Sequence, residues 1–280
     1  DVRYGPTGLQ WCSDEMLRAV ACDSARTGRR IHMHLLETQP QRQWLDQTYL
    51  QGGVAFLDGI GFLSPRLTLA HCVWARGPEL DQIAASGARI AVNNSSNLHL
   101  YSGRAPLVDM QAAGVAVAMG LDGCALDEDD DGLRELRLFH LLGRRPGYSA
   151  NEHMTHAAAL RAACVTGRAA LGLQDGGVLE VGMPADLLIL DLDALERDTL
   201  VPVPAEDLLF ARATTAHVVE VWASGRQVVR KGHVLGCDLD AAETSLRAAY
   251  RAGLPATEPL RAIWPQIDRA TGPHDPGCCW

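Results

Sequence analysis

Apolar residues in the first part of the chain fall into two alternating patterns. Short runs near 30–36, 66–72, 88–93 and 115–121 are dense in Val, Ile, Leu and Ala and read as buried strands. Between them, near 39–51, 77–86 and 106–113, apolar residues recur every three or four positions and each stretch closes on Gly, as amphipathic helices do. A helix is expected over Ser13 to Thr27, with Ser13 as its cap, Met16, Leu17, Val20 and Ala21 as its apolar stripe, and Gly28 as its stop. Two more helices are expected near 131–143 and 151–165. Strand alternating with helix requires parallel strands joined by crossovers. Four such strands make half of an eight-stranded α/β barrel of the TIM type, expected over residues 1–172.

Beyond that point the periodicity changes. Gly176-Gly177, Gly182, Pro184, Ser224-Gly225 and Lys231-Gly232 punctuate the runs Leu187 to Leu190, Val218 to Trp222 and Val228-Val229. Short strands between turn signals read as part of a small β-sandwich over 173–240. A final helix near 240–252 opens the segment 241–280, whose Pro-rich tail ends in Cys278-Cys279-Trp280 and is assigned no function. No internal repeat is present.

Composition narrows the class. With 47% hydrophobic and 21% charged residues among 280, the chain is an ordinary globular one. A net charge of −9 argues against sequence-independent nucleic-acid binding, which needs a basic surface. No apolar run approaches the roughly 20 residues of a bilayer span, so no membrane association is expected and a cytoplasmic location is. The eight cysteines, at 12, 22, 72, 124, 164, 237, 278 and 279, form no CxxC pair and are expected to be small buried residues of a reducing compartment.

Candidate chemistry sits at the ends of the apolar runs. His34 and Glu37 occur in IHMHLLET, His71 in LTLAHC, and Asp122 in VAVAMGLDG. Alternation along a strand puts His32 and His34 on one face and Glu37 where the strand opens into a loop. Residues at the carboxyl ends of parallel barrel strands converge on one pocket, so this order of His, Glu, His and Asp suggests a hydrolytic metal site.

HLLET, LAHCVW, NNSSNLHLYSG and GLDG resemble the second half of the amidohydrolase superfamily. Within it they resemble the single-zinc aminohydrolases, such as cytosine, guanine, 8-oxoguanine and pterin deaminases, and the chlorotriazine hydrolases. GGVLEVGMPADLLILD is similar to the segment that follows the barrel in these enzymes. The resemblance implies that the four strands are the fifth to eighth of the barrel. It implies His34 and Asp122 as metal ligands, Glu37 as proton shuttle, His71 as partner of the hydrolytic water, and Asp122 also as general base. Zinc is the implied metal, with iron as the alternative. The implied substrate is a small amino-substituted heterocycle of purine, pterin, pyrimidine or triazine type, losing ammonia to activated water. A homodimer stays open for the parent enzyme.

Two departures matter. Such enzymes take two further ligands from an HxH on their first barrel strand, and no such segment is present; the chain is therefore expected to be a carboxyl-terminal portion, inactive when isolated. VRYGPTG at its start reads as the end of a fourth strand. Relatives often carry His where Val92 stands, so no substrate contact is carried over there.

Trp74, Asn93, Ser96 and Asn97 are candidate substrate contacts, the last three in the loop after the seventh strand, where Asn and Ser also favour self-satisfied turns. His32 is expected inside the barrel. Asp127 to Asp131 are expected to form a solvated loop that favours the next helix through its dipole, and His153 and His156 a surface pair on one helix rather than a metal site. Cys72 and Cys124 flank proposed catalytic groups, so oxidation there is a conceivable disturbance.

Two other readings remain. One is a cyclic amide hydrolase or a halide-displacing hydrolase at the same metal. Glu37 and the lack of a strand-end Lys favour deamination over amide hydrolysis. The other is a non-catalytic binding module. The H-x-E and P-C-x-x-C signatures of base deaminases acting on nucleic acid are absent, which favours a free small molecule.

Overall fold

The computed structural model describes residues 2–123, 129–145, 147 and 153–270. The apolar runs form four parallel strands, β1 (Ile31–Leu35), β2 (Leu67–His71), β3 (Arg89–Val92) and β4 (Ala116–Met119), paired in chain order. The register sets Leu35 beside His71, Ala70 beside Ala91, and Val92 beside Met119, so the carboxyl ends of all four strands lie level. Residues 2–8 run parallel along the free edge of β1. Tyr4 N–H donates to Arg30, His32 N–H to Tyr4, and His34 N–H to Thr7. The expected strand end is thus met by isolated bridges rather than a continuous ladder.

Helices cover one face of this sheet: α1 (Asp14–Thr27), α2 (Gln39–Thr48), α3 (Gly53–Gly59), α4 (Gly77–Ser86) and α6 (Leu107–Ala112), with α7 (Gly132–Leu142) near its closing side. Ser13 caps α1 by accepting from Met16 N–H, and Gly28 ends it with φ of 73°. Leu17, Met33, Leu69, Ile83, Ile90 and Phe139 belong to the core between the layers. The other face, where His32, His34, Thr68, Ala70, Ala91 and Ala118 alternate with those core residues, lines an open cavity of about 480 Å³.

Several helices are finer than periodicity suggested. The stretch 39–51 ends at Thr48, and α3 starts after Gly52, whose φ of 96° reverses the chain; two adjacent glycines read as a stop hid that second helix. The segment after β3 contains α5 (Asn94–His99), which polar residues disguise as a loop. The helix near 151–165 is, within the described residues, α8 (His156–Arg161), a π-helical turn over Ala162–Thr166 and α9 (Gly167–Ala170). The acidic run is described from Asp129 onward. Asp131 caps α7 by accepting from Leu133 and Arg134 N–H, and also accepts from Thr215 N–H. Burial opposes its charge, but these amides outweigh that and hold its carboxyl below the ordinary value.

A second, antiparallel sheet contains β5 (Leu187–Leu190), β6 (Val218–Ala223), β7 (Arg226–Arg230) and β8 (His233–Val234) in that order. Two helices missed in the sequence, α10 (Leu192–Glu196) and α11 (Ala205–Arg212), connect β5 to β6. The last helix, α12 (Leu239–Ala270), runs past the expected end near 252 and through Pro255, Pro259 and Pro265. Leu246, Leu260, Ile263 and Ile267 keep a helical spacing across those prolines and outlast the stop signal that they supply.

His153 and His156 do not share a helix. His153 bridges to Arg144 before α8 starts, and the His156 ring stacks on Phe210 at 4.1 Å and faces Glu206 and Asp207. Nor are the cysteines uniformly buried: Cys72 is, whereas Cys22, Cys164 and Cys237 are exposed, and Cys124, Cys278 and Cys279 lie outside the described residues. Burial pushes the Cys72 thiol well up, which keeps it from forming the reactive thiolate.

Two stability outcomes follow from this packing. Arg42, 5% exposed, donates to both carboxylate oxygens of Glu79 at 2.6 and 2.8 Å and also reaches Asp46, tying α2 to α4. Arg42→Met strands Glu79 in a partly dry site and should lower unfolding free energy by about 3 kcal/mol, read from the urea midpoint. His140, at the α7–α8–α11 contact, is pushed down to about 4 from 6.5 by burial and then by the charges of Arg144 and His156. Its folded form therefore resists protonation that the unfolded chain accepts. The stability it contributes is full above about pH 6.5 and drains away as pH falls towards about 4. His140→Phe should flatten the stability–pH curve in that window.

Candidate active site

The level strand ends bring four polar side chains together. On β1, His34 places Nδ1 2.8 Å from the carbonyl oxygen of Thr7. A carbonyl only accepts, so Nδ1 carries the hydrogen and Nε2 keeps its lone pair, the form in which imidazole binds a metal. The His34 ring stacks on His71 with centroids 5.3 Å apart. His71, 1% exposed at the end of β2, points Nε2 at Glu37 Oε1 and Asp122 Oδ2, each 3.9 Å away. One imidazole nitrogen thus faces two carboxylates across a gap wide enough for a bridging oxygen.

The backbone at these positions is strained. Leu36, His71, Cys72 and Asp122 hold φ of 53°, 71°, 51° and 67°, in the left-handed region that costs a non-glycine residue about 1 kcal/mol or more. Each marks a strand end that turns sharply so that the neighbouring polar group faces inward. Gly120, by contrast, is glycine for want of room: a Cβ there would lie 2.1 Å from Asn93 Oδ1. The GLDG turn can therefore pass beside Asn93 and deliver Asp122.

The four candidate substrate contacts divide. Asn93 lines the cavity together with His32, His34 and Asp122. Ser96 and Asn97, each 1% exposed, face the polar cluster instead: Ser96 Oγ donates to Asp122 Oδ2 at 2.6 Å, and Asn97 Oδ1 lies 2.8 Å from His71 Nδ1. Trp74 is partly exposed and its Nε1–H donates to the carbonyl of Ser102 at 2.8 Å. His32 lines the cavity as expected of an interior residue, and desolvation, then the neighbouring His34 and Arg3, hold its imidazole below 6.5.

Two contributors escaped sequence reasoning. Thr7 acts through its carbonyl, which no residue type betrays. Glu135, 3% exposed on α7, accepts from Asn94 N–H at 2.8 Å and Ser95 N–H at 3.3 Å, anchoring the start of α5. Its signal was a carboxylate on the helix face that buries Leu136 and Phe139.

As a metal site the set is partial. His34 Nε2 and the Asp122 carboxylate are donors of the types zinc takes, but zinc takes four ligands. Among the described residues no group of three or more His, Cys, Asp or Glu is placed to hold a metal ion. Among the described residues, His34 and Asp122 thus offer two donors of the kinds that zinc takes.

Four parallel strands thus gather His34, Glu37, His71 and Asp122 at their carboxyl ends. The sequence model of the amidohydrolase family matches residues 2–235, and the chain belongs to that family. It is 32% identical over 235 residues to a 5'-deoxyadenosine deaminase of Methanosarcina barkeri, a match covering 84% of this chain and 54% of that protein. With a 5-methylthioadenosine/S-adenosylhomocysteine deaminase of Pelotomaculum thermopropionicum it shares 34% identity over 240 residues, 84% of this chain and 54% of the relative. Among solved structures, a zinc-bound adenosine deaminase of Xanthomonas campestris superposes with a TM-score of 0.81 at 30% identity, covering 88% of this chain and 56% of that one. A zinc complex of atrazine chlorohydrolase from Arthrobacter aurescens gives 0.78 at 28% identity, over 87% of this chain and 53% of that one. The chain thus spans about half the length of the relatives it matches.

Proposed function

We propose that this chain carries the later half of a zinc-dependent deaminase that hydrolyses the exocyclic amine of an adenine-type heterocycle to ammonia. The observation that carries the reading is the convergence of Glu37 and Asp122 on His71 Nε2, both at 3.9 Å, beside the metal-competent nitrogen of His34. The deaminase names of its relatives favour an adenine-type ring. In this reading residues 1–172 are barrel strands five to eight, 173–240 part of a β-sandwich, and 241–280 a terminal appendage.

His34 and Asp122 would hold the zinc, with two ligands from the HxH strand of the full-length protein. When bound, zinc lowers the pKa of water to about 7 and so supplies a nucleophile at neutral pH. Asp122 accepts the proton that water sheds as its oxygen adds to the amine-bearing ring carbon. Glu37 protonates the adjacent ring nitrogen, which drains electron density from the carbon under attack. The amine then takes the proton held by Asp122 and departs as ammonia, while the new hydroxyl gives its proton to Glu37, leaving a ring carbonyl. His71 holds the water between the two carboxylates. Asn93 and Trp74 are proposed to touch substrate.

A second reading, displacement of halide by the same water, is favoured by the likeness to atrazine chlorohydrolase. The deciding experiment uses the full-length gene product loaded with zinc. Ammonia release is followed with adenosine, 5'-deoxyadenosine, methylthioadenosine and S-adenosylhomocysteine, against aminopterins, cytosine and melamine, and chloride release with chlorotriazines. Turnover confined to adenine nucleosides is expected. Chloride release without ammonia would transfer the assignment to the second reading, and silence on every substrate with zinc bound would remove both.

A further inference from the structure

The short helix α5 supplies two contacts that the reaction scheme leaves unexplained, and both end on proposed catalytic groups. Its Ser96 and Asn97 are adjacent, so one rigid turn addresses Asp122 and His71 together. Glu135 fixes the start of that turn through two backbone amides.

Asn97 carries the sharper argument. It is 1% exposed, and its amide nitrogen has no hydrogen-bond partner among the described residues. A buried amide with one half unpaired destabilises a fold, a cost that an apolar residue of the same shape would avoid. What the amide gains in return is the 2.8 Å contact to His71 Nδ1. A buried polar group left unsatisfied calls for an explanation, and a role in a neighbouring site is one.

We propose that Asn97 is a positioning residue that fixes the tautomer of His71. Its carbonyl oxygen accepts the hydrogen on Nδ1, so the lone pair stands on Nε2, between Glu37 and Asp122. His71 then accepts a hydrogen from the attacking water and aims that water's oxygen lone pair at the ring carbon. The opposite tautomer, with hydrogen on Nε2, would offer the water a donor and hold it in the wrong orientation. This inference rests on the deaminase reading for the role of the water, but the tautomer itself is a property of this chain's own residues.

The test combines a tautomer measurement with kinetics. Full-length zinc-loaded protein, labelled with ¹⁵N at histidine, is compared as wild type, Asn97→Leu and Asn97→Asp by imidazole ¹⁵N shifts at about pH 8, where an ordinary imidazole is neutral; His71→Gln assigns the signal. The wild type should show hydrogen on Nδ1. Asn97→Leu should give a mixed tautomer and a kcat lower by about 10–100-fold, the usual loss when a supporting partner is removed, with KM within about threefold. Asn97→Asp keeps an acceptor at the same place and should restore both the Nδ1–H signal and kcat to within about fivefold of wild type. A wild-type ring with hydrogen on Nε2 would overturn the proposal, as would an Asn97→Leu protein that keeps tautomer and kcat, or an Asn97→Asp protein whose tautomer is as mixed as that of Asn97→Leu. Because the ¹⁵N arm needs no turnover, absence of deaminase activity would sink the functional reading and leave this one to its own result.

Discussion

Replacing Glu37 by Gln should lower deamination by about 10³-fold while leaving zinc in place. The amide has the shape of the acid but cannot lend a proton to a ring nitrogen, and general acid–base steps of this kind contribute about 10²–10⁴-fold. Glu37 is not in the proposed metal shell. Its carboxylate is 14% exposed and lies 3.9 Å from His71 Nε2, so the substitution leaves the core untouched. Ammonia release and metal content should be measured on the same preparation of full-length protein. Loss of activity with full zinc supports the shuttle. Activity within about tenfold of wild type would remove Glu37 from the chemistry, and loss of zinc together with activity would make it a ligand instead.

Asp122→Asn should do more damage and of a different kind. Asn tolerates the left-handed backbone at this position, where φ is 67°, and can still accept from Ser96, so the fold should survive. What disappears is the charge. We expect zinc affinity to fall by more than about 100-fold, beyond the 10–100-fold typical of losing a mere supporting partner, and turnover to vanish at any zinc concentration because the proton acceptor is gone too. Competition with a chelator of known affinity reads the first effect, and assay at saturating zinc the second. Recovery of turnover at high zinc would leave Asp122 a ligand alone.

The sequence showed the strands well because each is a short run of apolar residues bounded by turn residues, and because parallel strands buried on one face by helices tolerate little else. His34, Glu37, His71 and Asp122 stood out as candidates because each is a polar residue within or just beyond the end of such a run. Helices α5, α10 and α11 were illegible for the opposite reason: six residues at 94–99, all polar except Leu98, or five and eight residues at 192–196 and 205–212, offer too little period to register. Glycine misled as well. The pair Gly52-Gly53 reads as a terminus, yet Gly53 begins α3, where a Cβ would press to 2.6 Å from Leu45. The polar loop after β3 was seen as a substrate surface because amides and hydroxyls near a pocket invite that reading. That two of them turn away from the cavity and onto His71 and Asp122 depends on Glu135, forty residues further on, and no local pattern carries that distance.

Thr7 presents its carbonyl to His34, and every amino acid has a carbonyl. Saturation mutagenesis at that codon would therefore return a nearly flat profile, and a survey of tolerated substitutions would class the position as free. Only an edit to the chain itself, such as a one-residue deletion between Gly5 and Gly8 that slides the segment along the edge of β1, would expose the dependence. For anyone re-engineering the proposed metal ligand, the length of that segment is the heritable quantity, and its spelling is not.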